Sequence, residues 1–127
     1  DEKRIIAVAT HSDKGFGYYV YNDQTMERYK IENRDLLYDG HPSIASTGIV
    51  VTDTYPNKWG EQALMLFSPE INKIETIGLF HSPPHLKGTL RCDLHPRWDS
   101  EGKNICFDSA HQGNRAIYLA EVTGFFD

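Results

Sequence analysis

His95-Pro96-Arg97-Trp98-Asp99-Ser100-Glu101-Gly102-Lys103-Asn104-Ile105-Cys106-Phe107-Asp108-Ser109, followed by Gly113-Asn114-Arg115-Ala116-Ile117-Tyr118-Leu119, is the stretch on which the fold turns. Its order is a His-Pro pair, a turn ending at Gly102, an apolar strand carrying Asp108, a polar loop and a second apolar strand. The same order stands earlier in the chain. His41-Pro42-Ser43-Ile44 leads to a turn ending at Gly48, a strand over residues 49–54 carrying Asp53, a polar loop, and the run Ala63-Leu64-Met65-Leu66-Phe67. The two His-Pro pairs are 54 positions apart (95 − 41). A third, partial copy opens the chain: Lys3, Ile5 and His11 match Lys103, Ile105 and His111 at a constant offset of 100, and Gly17-Tyr18-Tyr19-Val20 matches Ala116-Ile117-Tyr118-Leu119 at 99.

Each unit reads as short strands separated by Gly, Pro, Asn and Asp, rich in β-branched and aromatic residues, with no run of ten or more that keeps a helical period. In the middle unit the strands are expected near 43–45, 49–54, 62–68 and 73–79. Repeats of about 40–55 residues with four antiparallel strands each are the signature of β-propeller blades. The expected fold is therefore all-β, a single partial propeller of about two and a half blades, with blade remnants over 1–31, 41–80 and 94–127. The first copy starts inside its second strand and the last stops before a full fourth strand. A propeller closes its ring to remove sheet edges, so the expectation is either the C-terminal part of a longer polypeptide or self-association of several copies.

The bulk numbers fit this. The chain has 127 residues, 39% hydrophobic, with a net charge of −5 and a pI near 5.6. That balance gives no general attraction to nucleic acid or anionic membrane, and the basic residues are not clustered. No apolar stretch approaches the roughly 20 residues of a membrane helix. Two cysteines, Cys92 and Cys106, are too few for a disulfide scaffold. Both are expected to be reduced, with Cys106 a buried strand residue. There is no Gly-rich phosphate loop, HExxH helix or GxSxG elbow.

The 95–119 stretch resembles a TolB-type propeller repeat, with Asp-Ser-Glu-Gly-Lys (99–103) in place of its usual turn and Ala-Ser-Thr-Gly (45–48) a looser version. The phrase Thr52-Asp53-Thr54-Tyr55-Pro56, taken with Arg91-Cys92-Asp93-Leu94-His95-Pro96, is similar to propellers related to the oligogalacturonate lyases. That resemblance implies β-elimination on uronate oligosaccharides with a divalent metal, Mn²⁺, and it puts His41 and His95 in the metal-binding positions. Asp93 stands where a second histidine of that pattern would be, and Leu90 where a glutamine would be. Asp is a competent oxygen ligand for Mn²⁺ or Mg²⁺, whereas Leu is not.

Blade topology brings polar residues to one edge independently of family. In a four-stranded meander the start of strand one, the end of two, the start of three and the end of four share an edge. His41 and His95 precede first strands; His11, Tyr55 and His111 follow second strands. The long connection over 80–93 adds His81, His85, Lys87 and Arg91, and long loops on rigid scaffolds are frequent binding elements. Uronate elimination needs a cation opposite the carboxylate and a base neutral near working pH, which imidazole suits. His111 is the candidate base, with His11 the competing choice. Arg91 suits a bidentate grip on a carboxylate or a bridge between blades. Trp59, in a polar loop beside Lys58 and Gly60, suits stacking on a sugar or packing between blades. Asp53 and Asp108 end equivalent strands and are expected to bond turn amides or the next blade.

The substrate-binding set is thus His11, Tyr55, Trp59 and Arg91, and the metal set His41, Asp93 and His95. The function expected is a carbohydrate-directed propeller, lyase-like on acidic oligosaccharides. The alternatives are a TolB-like non-catalytic module that binds a protein partner, and an inactive fragment.

Overall fold

The computed structural model describes residues 3–126; Asp1, Glu2 and Asp127 lie outside the described residues. Ten strands and one 3₁₀ turn follow in chain order: β1 (Arg4–His11), β2 (Gly15–Asn22), β3 (Arg28–Lys30), β4 (Ser43–Ile44), β5 (Val50–Asp53), β6 (Glu61–Ser68), β7 (Lys73–His81), the 3₁₀ turn Gly88–Leu90, β8 (Arg97–Trp98), β9 (Asn104–Ser109) and β10 (Ala116–Glu121). They form three antiparallel meanders with no crossover, ordered β1-β2-β3, β4-β5-β6-β7 and β8-β9-β10.

The repeat is visible in the registers. Ser43 pairs with Val51 and Asp53 with Leu64 in the middle sheet; Arg97 pairs with Cys106 and Asp108 with Ile117 in the third. The first-to-second-strand turns both close on a glycine in the left-handed region, Gly48 at φ 88 and Gly102 at φ 68. A side chain at either position would strain the turn. The first sheet begins with the strand equivalent to β5 and β9, and the third has no fourth strand among the described residues.

The sheets stack face to face, and the middle one is covered on both sides. All four residues of β5 are buried. Val50 and Phe67 turn toward the first sheet, packing with Tyr18, Val20, Ile31, Leu36 and Ile44. Val51, Leu64 and Leu66 turn the other way, onto Leu94, Ile105 and Phe107. This is period-two alternation with both faces apolar, which is what a blade between two blades requires. In the third sheet β9 alternates strictly, Ile105, Phe107 and Ser109 buried and Asn104, Cys106 and Asp108 half-buried.

Cys106 therefore differs from expectation: it lies half-buried on the outward face, where an Arg97 nitrogen approaches its sulfur at 3.5 Å. The register pairs it with Arg97, and the alternation of β9 puts it on the face opposite the buried Ile105 and Phe107. Cys92, in the long connection, is the buried thiol. Burial pushes its pKa above the ordinary thiol value. Both thiols are free.

Candidate functional site

Asp53 is the hub of the edge where the first strands begin. It ends β5, is 1% exposed, and sits between the middle and third sheets. One carboxylate oxygen accepts the backbone N–H of His41 at 2.8 Å, the other the backbone N–H of His95 at 2.8 Å. The His41 ring nitrogen Nδ1 lies 3.0 Å from both oxygens. A buried carboxylate is costly unless its lone pairs are satisfied, and here amides from two successive repeats satisfy it. Asp53 so ties the His-Pro segment of its own blade to that of the next.

The tie brings the two imidazoles together. His41 and His95 stack with ring centroids 4.5 Å apart and planes 20° apart. His95 has φ 44, in the left-handed region, a conformation that side chains other than glycine seldom adopt and that is held by surrounding structure. The hydrogen bond its backbone N–H donates to the Asp53 carboxylate is part of that hold.

Tyr55, two residues beyond Asp53, meets the His41 ring edge to face at 5.7 Å. Its hydroxyl donates to Asp39 at 3.2 Å, and burial together with the Asp39 charge pushes its pKa up. The Arg91 guanidinium lies over the Tyr55 ring, 4.4 Å from its centroid. Arg91 also grips Asp93 through two nitrogens, the Nη2 bond being 3.0 Å. That hydrogen bond is the main reason its pKa is raised. Beneath the site, Gly40 packs so closely that a Cβ there would lie 2.5 Å from the Asp53 carbonyl oxygen and 2.6 Å from the Tyr18 hydroxyl.

A groove of about 530 Å³ opens next to this cluster, between the β5–β6 loop and the 82–96 connection. Tyr55, Trp59, Lys58, His81, Lys87 and Arg91 line it, with Pro56, Pro83 and Pro84 stiffening the walls, and no Asp or Glu contributes. Trp59 is 68% exposed, with the Lys58 ammonium 4.2 Å from its ring centroid. A larger concavity of about 670 Å³ lies on the outward face of the first sheet. Its lining mixes Asp13 and Glu27 with Arg28 and Lys30, and it is remote from the histidine pair.

The expected site residues thus divide. His41, His95, Tyr55, Arg91 and Asp93 meet, and Trp59 joins them through the groove. His11 does not: its Nε2 bonds the Tyr21 hydroxyl at 2.7 Å, and its ring packs on Tyr19. His111 lies between Phe80 and Tyr118, with Nδ1 2.8 Å from the Ser109 hydroxyl. His41, Asp93 and His95 do not gather as a metal-ligand set. No group of three or more His, Cys, Asp or Glu suited to a metal occurs among the described residues. Asp53 engages the His41 Nδ1, and Arg91 engages Asp93.

The sequence did not reveal that Lys58 of one connection lies across a groove from Lys87 and His81 of the other. Their signal was the pairing of two polar, proline-containing connections on the same edge.

Comparison with known proteins bears on the fold. The chain matches no protein-family model and no curated protein. Among solved structures it is similar to TolB from Acinetobacter baumannii, with a TM-score of 0.66 and 18% identity, over 96% of this chain and 28% of that one. The three sheets are β-propeller blades. At that identity the likeness carries the architecture alone. The chain spans 28% of the TolB chain it matches, so this propeller segment corresponds to part of a larger structure there.

Proposed function

We propose that the segment is the ligand-binding part of a carbohydrate-directed propeller, and that its groove takes acidic oligosaccharides of the uronate class. One observation carries this: a chain of net charge −5 presents a groove lined by Lys58, Lys87 and Arg91, the last paired with Asp93 behind it, with two aromatic side chains and no carboxylate in its lining. Exposed aromatic rings stack on the apolar faces of sugars, and the cations suit uronate carboxylates. The resemblance of the Thr52–Pro56 and Arg91–Pro96 phrases to oligogalacturonate-lyase propellers suggests the same ligand class.

Elimination is the finer proposal. The candidate proton acceptors are His111, the base expected from the sequence, and the stacked pair His41 and His95, of which His41 packs on Tyr55 in the groove wall. As arranged, the residues proposed for Mn²⁺ do not form a ligand set, so no step is routed through a metal.

A second reading is a non-catalytic module of the TolB kind. The Arg91–Asp93 pair favours it, because a guanidinium already closed on a carboxylate is less available to grip a substrate. In either reading the outer blades are completed by the rest of a longer chain or by further copies.

Calorimetric titration with oligogalacturonate, followed by absorbance of unsaturated product, tests the proposal. Binding that is lost in Trp59→Ala and weakened by salt is the expected result. Binding without product assigns the non-catalytic module, and no binding removes the carbohydrate reading.

A further inference from the structure

Asp53 and His41 form a carboxylate–imidazole pair that the binding argument does not use. A carboxylate can only accept hydrogen bonds, so His41 Nδ1, 3.0 Å from both its oxygens, must carry the proton. A neutral imidazole then has its lone pair on Nε2. No hydrogen bond engages Nε2 among the described residues, and the His41 side chain is 23% exposed. The ring cannot easily turn: Tyr55 packs against it edge to face and His95 stacks on it.

We propose that Asp53 is the positioning residue of this edge, holding His41 as the Nδ1–H tautomer so that Nε2 is offered as acceptor to a hydroxyl of the bound sugar. His41 adjoins the groove through Tyr55, which lines it, and the proposal rests on the groove being an acidic-oligosaccharide site whose ligand extends past Tyr55.

The equivalent aspartate shows that the arrangement is specific. Asp108 holds the same repeat position, yet its carboxylate takes the Arg97 guanidinium at 2.9 Å. The counterpart of Arg97 in the middle blade is Ser43, which cannot reach over and neutralise Asp53. The middle-blade carboxylate is thereby left for the imidazole and the two amides. Such a partner fixes both tautomer and ring orientation; for imidazoles that ligate a metal its loss typically costs roughly 10–100-fold, and the low end of that range is expected here.

Long-range ¹H–¹⁵N spectra of the protein, at a pH where imidazole is neutral, read the tautomer directly. Wild type is expected to show an unprotonated His41 Nε2. Asp53→Ala removes both accepting oxygens, so the Nδ1–H form loses its partner and the proton is expected to shift toward Nε2. Trigalacturonate affinity should then fall on the order of 10-fold.

A protonated Nε2 in wild type, or an unchanged tautomer in folded Asp53→Ala, overturns the inference; if that variant does not fold, the wild-type spectrum alone decides. A wild-type Nδ1–H tautomer with no trigalacturonate binding instead overturns the groove reading, and with it the sugar hydroxyl as partner.

Discussion

Asp53 and Asp108 were legible in the sequence as strand-ending aspartates at one repeat position, and a bond to turn amides or the next blade was the expected use. Asp53 does both, accepting an amide from its own blade and one from the next. Its third partner, the His41 ring, was not legible, because side-chain direction at a strand end depends on the neighbouring turn. Tyr18 illustrates the same limit. It reads as one more β-strand aromatic, but its hydroxyl is buried beside Thr52 Oγ1 at 3.0 Å under the site. Burial is the main cause that pushes its pKa to about 12. The folded state then binds more protons than the unfolded state above the ordinary value of 10. Its contribution is complete below that pH and is lost as pH rises through 12. Denaturant titrations across this window should show stability falling by roughly 2 kcal/mol more in wild type than in Tyr18→Phe. Parallel loss in the two proteins would show that Tyr18 does not titrate there.

At the scale of elements, the strands of the middle blade fall within two residues of expectation: 43–44, 50–53, 61–68 and 73–81. Strong alternation and glycine turns made them readable. The 82–96 connection was readable as a long loop on the right edge, not as a shaped one. What shapes it is Leu94, fully buried against Val51, Leu66 and Ile105 in the core between the middle and third sheets. Asp108 adds a backbone bond, donating its N–H to the Leu94 carbonyl at 2.8 Å. Leu94 pins the segment carrying Arg91, Asp93 and His95. Leu94→Ala should cost about 2–5 kcal/mol by chemical denaturation, and should also weaken oligogalacturonate binding at temperatures where the variant remains folded. A folded variant with unchanged affinity would mean that the connection is positioned by its own turns, without this anchor.

For the molecule as a whole, the repeat alone made the blade architecture readable, because each blade must bury two faces and only stacking does so. The two ends of the stack still display apolar residues: Ile5 at one, and Ile117 and Leu119, 70% and 73% exposed, at the other. The groove was less readable because it joins two connections whose distance is set by the blade between them. Its charge opposes that of the chain, and this contrast carries the functional claim. The most direct test is to map trigalacturonate onto the backbone and indole ¹H–¹⁵N resonances. Shifts concentrated at Tyr55, the Trp59 indole, His81, Lys87 and Arg91 are the result expected. Shifts at the opposite edge, around Gly48 and Gly102, or none at saturating ligand, would contradict it.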